Sequence, residues 1–418
     1  MNYLKKVLRK PLFLYFTANA IYSLSTFVVT LCIPFIFEKD FFATFIYDFQ
    51  MVLFLTTVTN LGIVSGLYKF IVRNRNDSLN IYYTILTVVY LLIFALGCVN
   101  GNIVSRLINL GEMTNEENFM FYISLLVSSM FVYNKGKNVA DRNYRYLFQV
   151  TLTACLLRLF ALIFLFLYPV HSLSLALFVL FVLPFVQDIK DHICNSSRYI
   201  HISAIKKEAL LGFLSFSLRV WFIGTLFMVS DKMFLIGTKG IDKQFTTGLA
   251  FAGGFLGIIS LFNQTFQNYF VSKLSCNNPA EVYAYLQRIK KLALPFFLLL
   301  LLICATVSFC ADLIYSSLGE QIPILLFLTL LRAGLLSYLV LYSLLTKVLD
   351  LLNIEIMLNV LRFIVTYALC NFWQADNMLL WYTTVLFVIP FPEVVLAFLT
   401  NQKARRNYLT ESQKKHDC

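Results

Sequence analysis

The sequence contains little charge. Only 13% of its 418 residues are Asp, Glu, Lys or Arg, whereas 59% are hydrophobic. Soluble domains carry roughly 25% charged residues, so this chain has about half the usual amount. A single globule of this composition could not cover its apolar atoms with polar ones. The scarcity of charge therefore excludes an ordinary soluble protein.

The residue patterns of metal centres and disulfide frameworks are also missing. The nine cysteines form no C-x-x-C pair, and the four histidines are scattered along the chain. Most of the cysteines lie inside apolar segments. We therefore predict neither a metal site nor a cofactor.

Apolar segments of nearly 20 residues recur along the whole chain. Each is long enough to cross the hydrocarbon core of a bilayer as a helix. The sequence therefore predicts an all-α polytopic membrane protein with about twelve transmembrane helices. The predicted spans are 11–37, 41–68, 79–99, 119–134, 147–168, 172–187, 209–230, 244–270, 292–314, 322–346, 353–373 and 379–399.

The positive charges are distributed unevenly between the two sides of these spans. Most of the 34 Lys and Arg residues lie in loops on the side of the N-terminus. The opposite loops contain only Lys39, Arg106, Lys232, Lys239 and Lys243. Because cytoplasmic loops are enriched in Lys and Arg, both termini are predicted to lie in the cytoplasm. The same asymmetry accounts for the net charge of +12 without a nucleic-acid partner.

A short motif is repeated at half the length of the chain. The segment 38–44 (EKDFFAT) precedes the second span, and 242–248 (DKQFTTG) precedes the eighth, at an offset of 204 residues. With six spans in each half, both halves enter the membrane from the same side, as in transporters built from parallel repeats. The predicted domains are an N-terminal six-helix bundle (1–205), a C-terminal six-helix bundle (206–402) and a basic cytoplasmic tail (403–418).

Four arginines fall near the middle of predicted spans: Arg158, Arg219, Arg332 and Arg362. An arginine at the centre of a membrane helix costs about 2.5–3.5 kcal/mol on insertion scales, so such residues are usually functional. The guanidinium group offers a planar fork of donors that suits phosphate and carboxylate. We therefore predict that these arginines line a cationic cavity and bind an anionic substrate.

Carboxylates within or beside the spans support an alternative interpretation. Each arginine could pair with a carboxylate such as Asp48, Asp231 or Glu393, or with backbone carbonyls, and so hold helices together. The same three acidic residues are also candidates for coupling transport to a proton or sodium gradient.

Polar residues form stripes on two helices. Asn19, Ser23, Thr26 and Thr30 are spaced by four, three and four residues, which places them on one face of the first helix. Ser215 shares a face of the seventh helix with Arg219. We predict that Asn19, Ser23, Thr26 and Ser215 line the cavity. Alternatively, each stripe bonds a neighbouring helix.

Two segments resemble O-antigen and polysaccharide flippases. Residues 60–69 (NLGIVSGLYK) are similar to the pattern that ends the second helix of that family. Residues 230–237 (SDKMFLIG) are similar to its "(S/Y)-D-R-x-x-L-G" segment after the seventh helix. The chain departs from the family at Lys232, where an Arg is usual, and after Gly248, where no tyrosine follows in the "G-x-Y" pattern.

The resemblance implies membership of the multidrug, oligosaccharidyl-lipid and polysaccharide exporter superfamily, in which two six-helix bundles flank a central cavity. It also implies a substrate, an oligosaccharide linked to undecaprenyl pyrophosphate, that moves to the outer leaflet of a bacterial inner membrane. Membrane lipids and other polysaccharide-assembly proteins are the further expected partners.

Two other functions are open to such a chain. An O-antigen polymerase or a polyprenyl-sugar glycosyltransferase of the same pathway would need catalytic groups in outer loops. The longest predicted outer loop, 100–118, has no room for a domain, so we predict that the chain is not an enzyme. A drug or cation exporter of the same fold would need an acidic cavity, whereas the charges inside these spans are mainly basic.

Overall fold

The computed structural model describes residues 11–60, 62–71, 74–98, 113–168, 172–238, 241–256, 279–315, 320–343, 345–346, 349, 351–372 and 377–416. Within these ranges the regular structure is entirely helical. Arg106 and Lys239 lie outside the described residues, as does the second half of the predicted eighth span.

The described helices correspond to all twelve predicted spans, which confirms the all-α fold. They are α1 (Pro11–Ile36), α2 (Lys39–Thr59 and Ile63–Phe70), α3 (Arg75–Cys98), α4 (Asn115–Ala140), α5 (Tyr144–Leu167), α6 (Leu173–Tyr199), α7 (Lys207–Thr238), α8 (Lys243–Gly254), α9 (Pro279–Tyr315), α10 (Ile322–Ser343), α11 (Leu352–Phe372) and α12 (Met378–Val388 and Phe391–His416).

Ten of these helices are long and apolar enough to cross a membrane, so the chain is a multi-pass membrane protein. The other two are α4 and α8. Helix α4 has sufficient length, but polar residues at the ends of its apolar stretch, such as Asn118, Asn134 and Lys135, lower the mean hydropathy. Only twelve residues of α8 are described as helix.

Several helices continue past the predicted spans on the side predicted to be cytoplasmic. Helix α6 ends at Tyr199 instead of residue 187, and α9 begins at Pro279 instead of residue 292. The apolar stretch shows where a helix leaves the hydrocarbon, but the backbone bonds of the helix continue into the polar region. As a result, Asp188 and His192 lie on a helix and are buried.

Three helices are irregular, each for an identifiable reason. Helix α2 is interrupted at Gly62, whose φ angle of 65° lies in the left-handed region. Helix α6 passes through a π turn at Phe178–Val182 and a 3₁₀ turn that contains Pro184. Helix α12 is interrupted before Phe391, next to Pro390. Proline removes a backbone donor and glycine permits positive φ, so these positions break the helical bonding.

The chain forms two compact units, Met1–Met228 and Val229–Cys418. The boundary between them falls inside α7, which is continuous through it. The domain boundary predicted at residue 205 stays a prediction.

Helices α2 and α8, one in each unit, begin at positions separated by the predicted offset. Helix α2 begins at Lys39 after the N-cap Glu38, and α8 begins at Lys243 after the N-cap Asp242. Only Asp242 accepts a capping bond, from the backbone nitrogen of Phe245 at 2.9 Å. The offset of 204 residues therefore carries the first residue of α2 onto that of α8.

Candidate functional site

The four arginines differ in their exposure. Arg158, Arg332 and Arg362 are buried inside the packed helices, with 2%, 7% and 2% of their surfaces accessible. Arg219 is exposed on α7. One arginine of the predicted set is therefore accessible in this structure. The other three are buried, and their neighbours determine how each positive charge is compensated.

Arg158 contacts polar and aromatic groups in the N-terminal unit. One of its terminal nitrogens donates to the Thr26 hydroxyl of α1 over 3.1 Å. Its guanidinium carbon lies 5.5 Å from the ring centre of Tyr22 and 5.0 Å from that of Phe185. No carboxylate of the described residues lies within salt-bridge distance of it. Its charge is therefore offset by ring faces and one hydroxyl.

Arg362 contacts a carboxylate in the C-terminal unit. Its terminal nitrogen lies 2.8 and 2.9 Å from the two carboxylate oxygens of Glu393. It also donates to the carbonyl oxygen of Ile389 over 2.9 Å, and it bonds the Asn359 side chain. The result is a buried ion pair between α11 and α12, as the alternative interpretation of the sequence described.

The repeat relates these two arginines. Arg158 and Arg362 are separated by 204 residues, the offset of the sequence repeat. The same offset carries Phe185, which faces Arg158, onto Ile389, whose carbonyl Arg362 bonds. The sequence alone contains this relation, because adding the repeat offset of 204 to residue 158 gives residue 362.

Arg332 forms another buried ion pair in the C-terminal unit. Its terminal nitrogen lies 2.6 Å from a carboxylate oxygen of Asp231, and both side chains are almost completely buried. The pair joins α10 to α7. Two of the three predicted carboxylates therefore neutralise arginines, and the third, Asp48, is fully buried in α2.

The two polar stripes have different environments. Asn19, Ser23 and Thr26 of α1 are buried within the N-terminal unit, and Thr26 bonds Arg158. Neither the amide nitrogen nor the amide oxygen of Asn19 bonds any described residue. Ser215 is exposed on α7, like Arg219. Their assignment to a substrate cavity stays a prediction.

Gly62 and Gly66 of the motif 60–69 lie against α7 within the N-terminal unit. A Cβ atom on Gly62 would lie 2.2 Å from the backbone oxygen of Ser217, and one on Gly66 would meet the Ser217 hydroxyl and the Phe213 ring. The indole nitrogen of Trp221 donates to the carbonyl oxygen of Val58 over 2.7 Å, beside the interruption of α2. The glycines of this motif therefore permit a close contact between α2 and α7.

Asp188 is a buried residue that the sequence interpretation missed. It is 2% exposed on α6, and Asn134 of α4 donates to its carboxylate over 3.2 Å and to its backbone oxygen over 2.8 Å. The predicted sixth span ends at residue 187, which places Asp188 in a loop. The amphipathic pattern of residues 186–199 was the signal that could have found it.

No protein-family model matches the sequence, and no curated protein matches it. Solved structures do match over nearly the whole chain.

A MATE in complex with MaL6 is 12% identical, with a TM-score of 0.59, covering 98% of this chain and 99% of that one. The outward-facing conformation of a multidrug resistance MATE family transporter of the MOP superfamily is 13% identical, with a TM-score of 0.57, covering 98% of each chain. A MOP superfamily transporter from Pyrococcus furiosus, described as having a binding pocket of reverse polarity, is 15% identical. Its TM-score is 0.54, and the match covers 95% of this chain and 93% of that one. The chain therefore has the fold of MATE transporters, with two repeat halves.

Proposed function

We propose that this chain is a flippase that moves a lipid-linked oligosaccharide across the bacterial inner membrane by alternating access. Its substrate carries a pyrophosphate, which must pass the hydrocarbon core while the polyprenyl tail stays in lipid. Positive charge on the protein offsets part of the hydration that the pyrophosphate loses.

One observation carries the proposal: positive charge without a carboxylate partner in the N-terminal unit. Arg158 and Arg219 form no salt bridge with any described residue, whereas Arg332 and Arg362 are paired. Unneutralised arginine inside a membrane protein is costly and is usually retained for function. We assign Arg219 as the first contact of the phosphate, since it is exposed, and Arg158 as a residue that the substrate meets in another conformation. Arg332 and Arg362, which were also candidates for substrate binding, are assigned to helix packing, because Asp231 and Glu393 neutralise them.

The polarity of the binding pocket varies among proteins of this fold. The Pyrococcus furiosus transporter is described as having a binding pocket of reverse polarity that suggests a different function. The fold therefore occurs with a binding pocket of altered polarity, and the basic residues of this chain fit a substrate of negative charge.

Transport of the proposed substrate is testable by complementation. In a bacterial strain that lacks its own flippase, Arg219→Ala should abolish surface polysaccharide while the membrane level of the protein stays normal. Arg219→Lys should restore part of it, because the charge returns without the fork. Leu218→Ala, at an exposed neighbouring position, is the matched control. Normal polysaccharide with Arg219→Ala would contradict the assignment.

A multidrug exporter is the second candidate, because one neighbour of the same fold is a multidrug resistance transporter. The same cells distinguish the two functions: export of cationic dyes that persists in Arg219→Ala, with no polysaccharide effect in any variant, would favour the drug exporter.

The proposed orientation has its own test. Asn115 lies at the start of α4 on the predicted outer side, and Ser203 lies between α6 and α7 on the predicted inner side. In a cysteine-free background, an impermeant thiol reagent added to whole cells should label Asn115→Cys and leave Ser203→Cys unmodified. Labelling of Ser203→Cys would reverse the proposed topology.

A further inference from the structure

Helices α9 and α12 extend past their apolar spans and pack against each other in the C-terminal unit. The apolar sequence of α9 begins at Leu292, whereas the helix itself begins at Pro279. Helix α12 continues past Thr400, where its apolar sequence ends. The rings of Tyr283 in α9 and Tyr408 in α12 stack with their centres 4.8 Å apart. The two extensions therefore form one surface directly outside the hydrocarbon.

An apolar cluster holds the two extensions together. Val282, Leu286 and Ile289 of α9 are buried in one cluster with Ala404 of α12. The three positions of α9 are spaced by four and three residues, so they occupy one face of the helix. The residues between them on α9 face away from this cluster. The surface that they form therefore rests on a packed base.

The outward residues of the two extensions are mainly basic. Six of them lie between residues 281 and 291 or between 401 and 410: Arg288, Lys290, Lys291, Lys403, Arg405 and Arg406. Lys403 is half-buried, and the other five are exposed. Glu281 is the one acidic residue in these two stretches of sequence. The extensions therefore carry a strongly positive surface, which we call the α9–α12 basic surface.

These charges are not neutralised by the parts of the protein that the structure describes. None of the six basic residues forms a salt bridge with a described residue. In the N-terminal unit, by contrast, Arg75 and Lys137 share the carboxylate of Asp141 at 3.0 and 3.3 Å. The positive charges of the α9–α12 basic surface are therefore available to a partner outside the chain.

The depth of these charges matches the headgroup layer of a bilayer. That layer adds about 5–8 Å on each side of the hydrocarbon core. Arg288 is four residues from Leu292, a rise of about 6 Å along the helix. Lys290 and Lys291 are closer still to Leu292. The basic residues of α9 therefore lie at the level of lipid phosphates.

An exposed apolar face of α9 continues from these charges into the membrane. Leu298, Leu299 and Leu302 are each more than half exposed. Leu299 follows Arg288 by eleven residues, and Leu302 follows Lys291 by eleven, a spacing that places each pair on the same side of the helix. An acyl chain can therefore lie along the leucines while its phosphate contacts the basic residues.

We propose that the α9–α12 basic surface binds the phosphate of an anionic phospholipid from the surrounding leaflet. Clusters of four to eight Lys and Arg directly outside a membrane helix are typical of sites for anionic lipids. Because both helices contribute basic residues, the bound headgroup strengthens the packing of α9 against α12. The site is separate from the proposed flippase function and does not depend on it.

Phosphatidylglycerol tests the site in the full-length protein purified in detergent. At low salt, it should raise the Tm by about 2–4 °C more than an equal amount of phosphatidylcholine does. The difference should shrink at high salt, because ions screen exposed charges. A variant that combines four substitutions should lose the difference: Lys290→Gln, Lys291→Gln, Arg405→Gln and Arg406→Gln.

The matched control removes four exposed basic residues of the N-terminal unit: Arg145→Gln, Lys190→Gln, Arg198→Gln and Lys207→Gln. It loses the same net charge and should respond to phosphatidylglycerol like the wild type. Equal Tm values in the two lipids would overturn the proposal, as would a loss of response in the control as large as in the α9–α12 variant. An equal rise with inorganic phosphate would show that the ligand is not a lipid.

A second measurement covers an α9–α12 variant that does not fold. Phosphatidylglycerol with a photoreactive group near its headgroup should label the wild-type protein within residues 279–291 and 401–410. Phosphatidylcholine with the same group should label these segments several-fold less. Equal labelling by the two lipids, or no labelling of either segment, would contradict the proposed site.

Discussion

Arg158 and Arg362 occupy the same position in the two repeats, but their surroundings differ. In the N-terminal unit Arg158 faces two aromatic rings and a hydroxyl. In the C-terminal unit Arg362 faces a carboxylate, a carbonyl and an amide. A buried arginine with a carboxylate is a structural cross-link, whereas one without a carboxylate retains its charge for other partners. The comparison therefore divides the arginines by role in a way that their depth in the membrane does not.

Arg362→Met should have the largest effect on stability. It leaves the Glu393 carboxylate buried without its partner, which costs about 3–5 kcal/mol. Thermal unfolding of the purified protein would measure the loss. The double variant Arg362→Met with Glu393→Gln should recover most of it, since no buried charge remains. If the double variant is as unstable as Arg362→Met, the unpaired Glu393 carboxylate is not the cause of the lost stability.

Gly62→Ala should have the next largest effect on stability. It tests a close backbone contact instead of a buried charge. The left-handed φ angle disfavours a Cβ atom, and that atom would meet the Ser217 carbonyl. We expect a loss of about 1–3 kcal/mol or more from the strain and the clash.

Gly248→Ala in α8 of the other unit is the matched variant. Its Cβ atom would approach the end of the flexible Leu325 side chain at 3.0 Å, so a smaller loss of Tm is expected. At Gly224 a Cβ atom would meet no described atom within 4 Å, so Gly224→Ala should unfold at or above the wild-type temperature. Equal losses at residues 62 and 248 would show that the close contact with α7 is unimportant.

Arg158→Met should cost much less than Arg362→Met, about 1–2 kcal/mol, because it removes one hydrogen bond and two ring contacts without exposing a buried partner charge. Transport should nevertheless fall strongly if Arg158 meets the substrate. Thermal unfolding and surface polysaccharide should be measured on the same variant. A loss of 3 kcal/mol or more would remove the distinction between the two arginines.

Asp141→Asn should have the smallest effect. Asp141 pairs with Arg75 at 3.0 Å and with Lys137 at 3.3 Å, but Arg75 is 52% exposed. Pairs of this kind contribute roughly 0–1 kcal/mol and weaken with salt. The difference in Tm between Asp141→Asn and the wild type should shrink as sodium chloride is raised. A loss of stability comparable to that of Arg362→Met would contradict the expectation that an exposed ion pair contributes less than a buried one.

The sequence predicted the helices because apolar length is a direct signal of a membrane span. It also predicted Asp231 and Glu393 as possible partners of the arginines, but charge alone could not say which arginine each would meet. The positions of Asp188 and Arg158 depend on how α6 turns around Pro184 and packs on α1 and α4. That packing is set by side-chain shape across helices distant in sequence, which a pattern along one chain does not contain.

The close contact at Gly62 also limits how the gene can vary. Every other amino acid has a Cβ atom, so any missense change in that codon introduces the clash with Ser217 that glycine avoids. Synonymous changes, which keep the glycine, avoid the clash. Codon 224, on the facing helix, is free of this constraint because no atom of the described residues lies within 4 Å of a Cβ atom there. The two codons should therefore drift at very different rates, although both encode a glycine in the same unit.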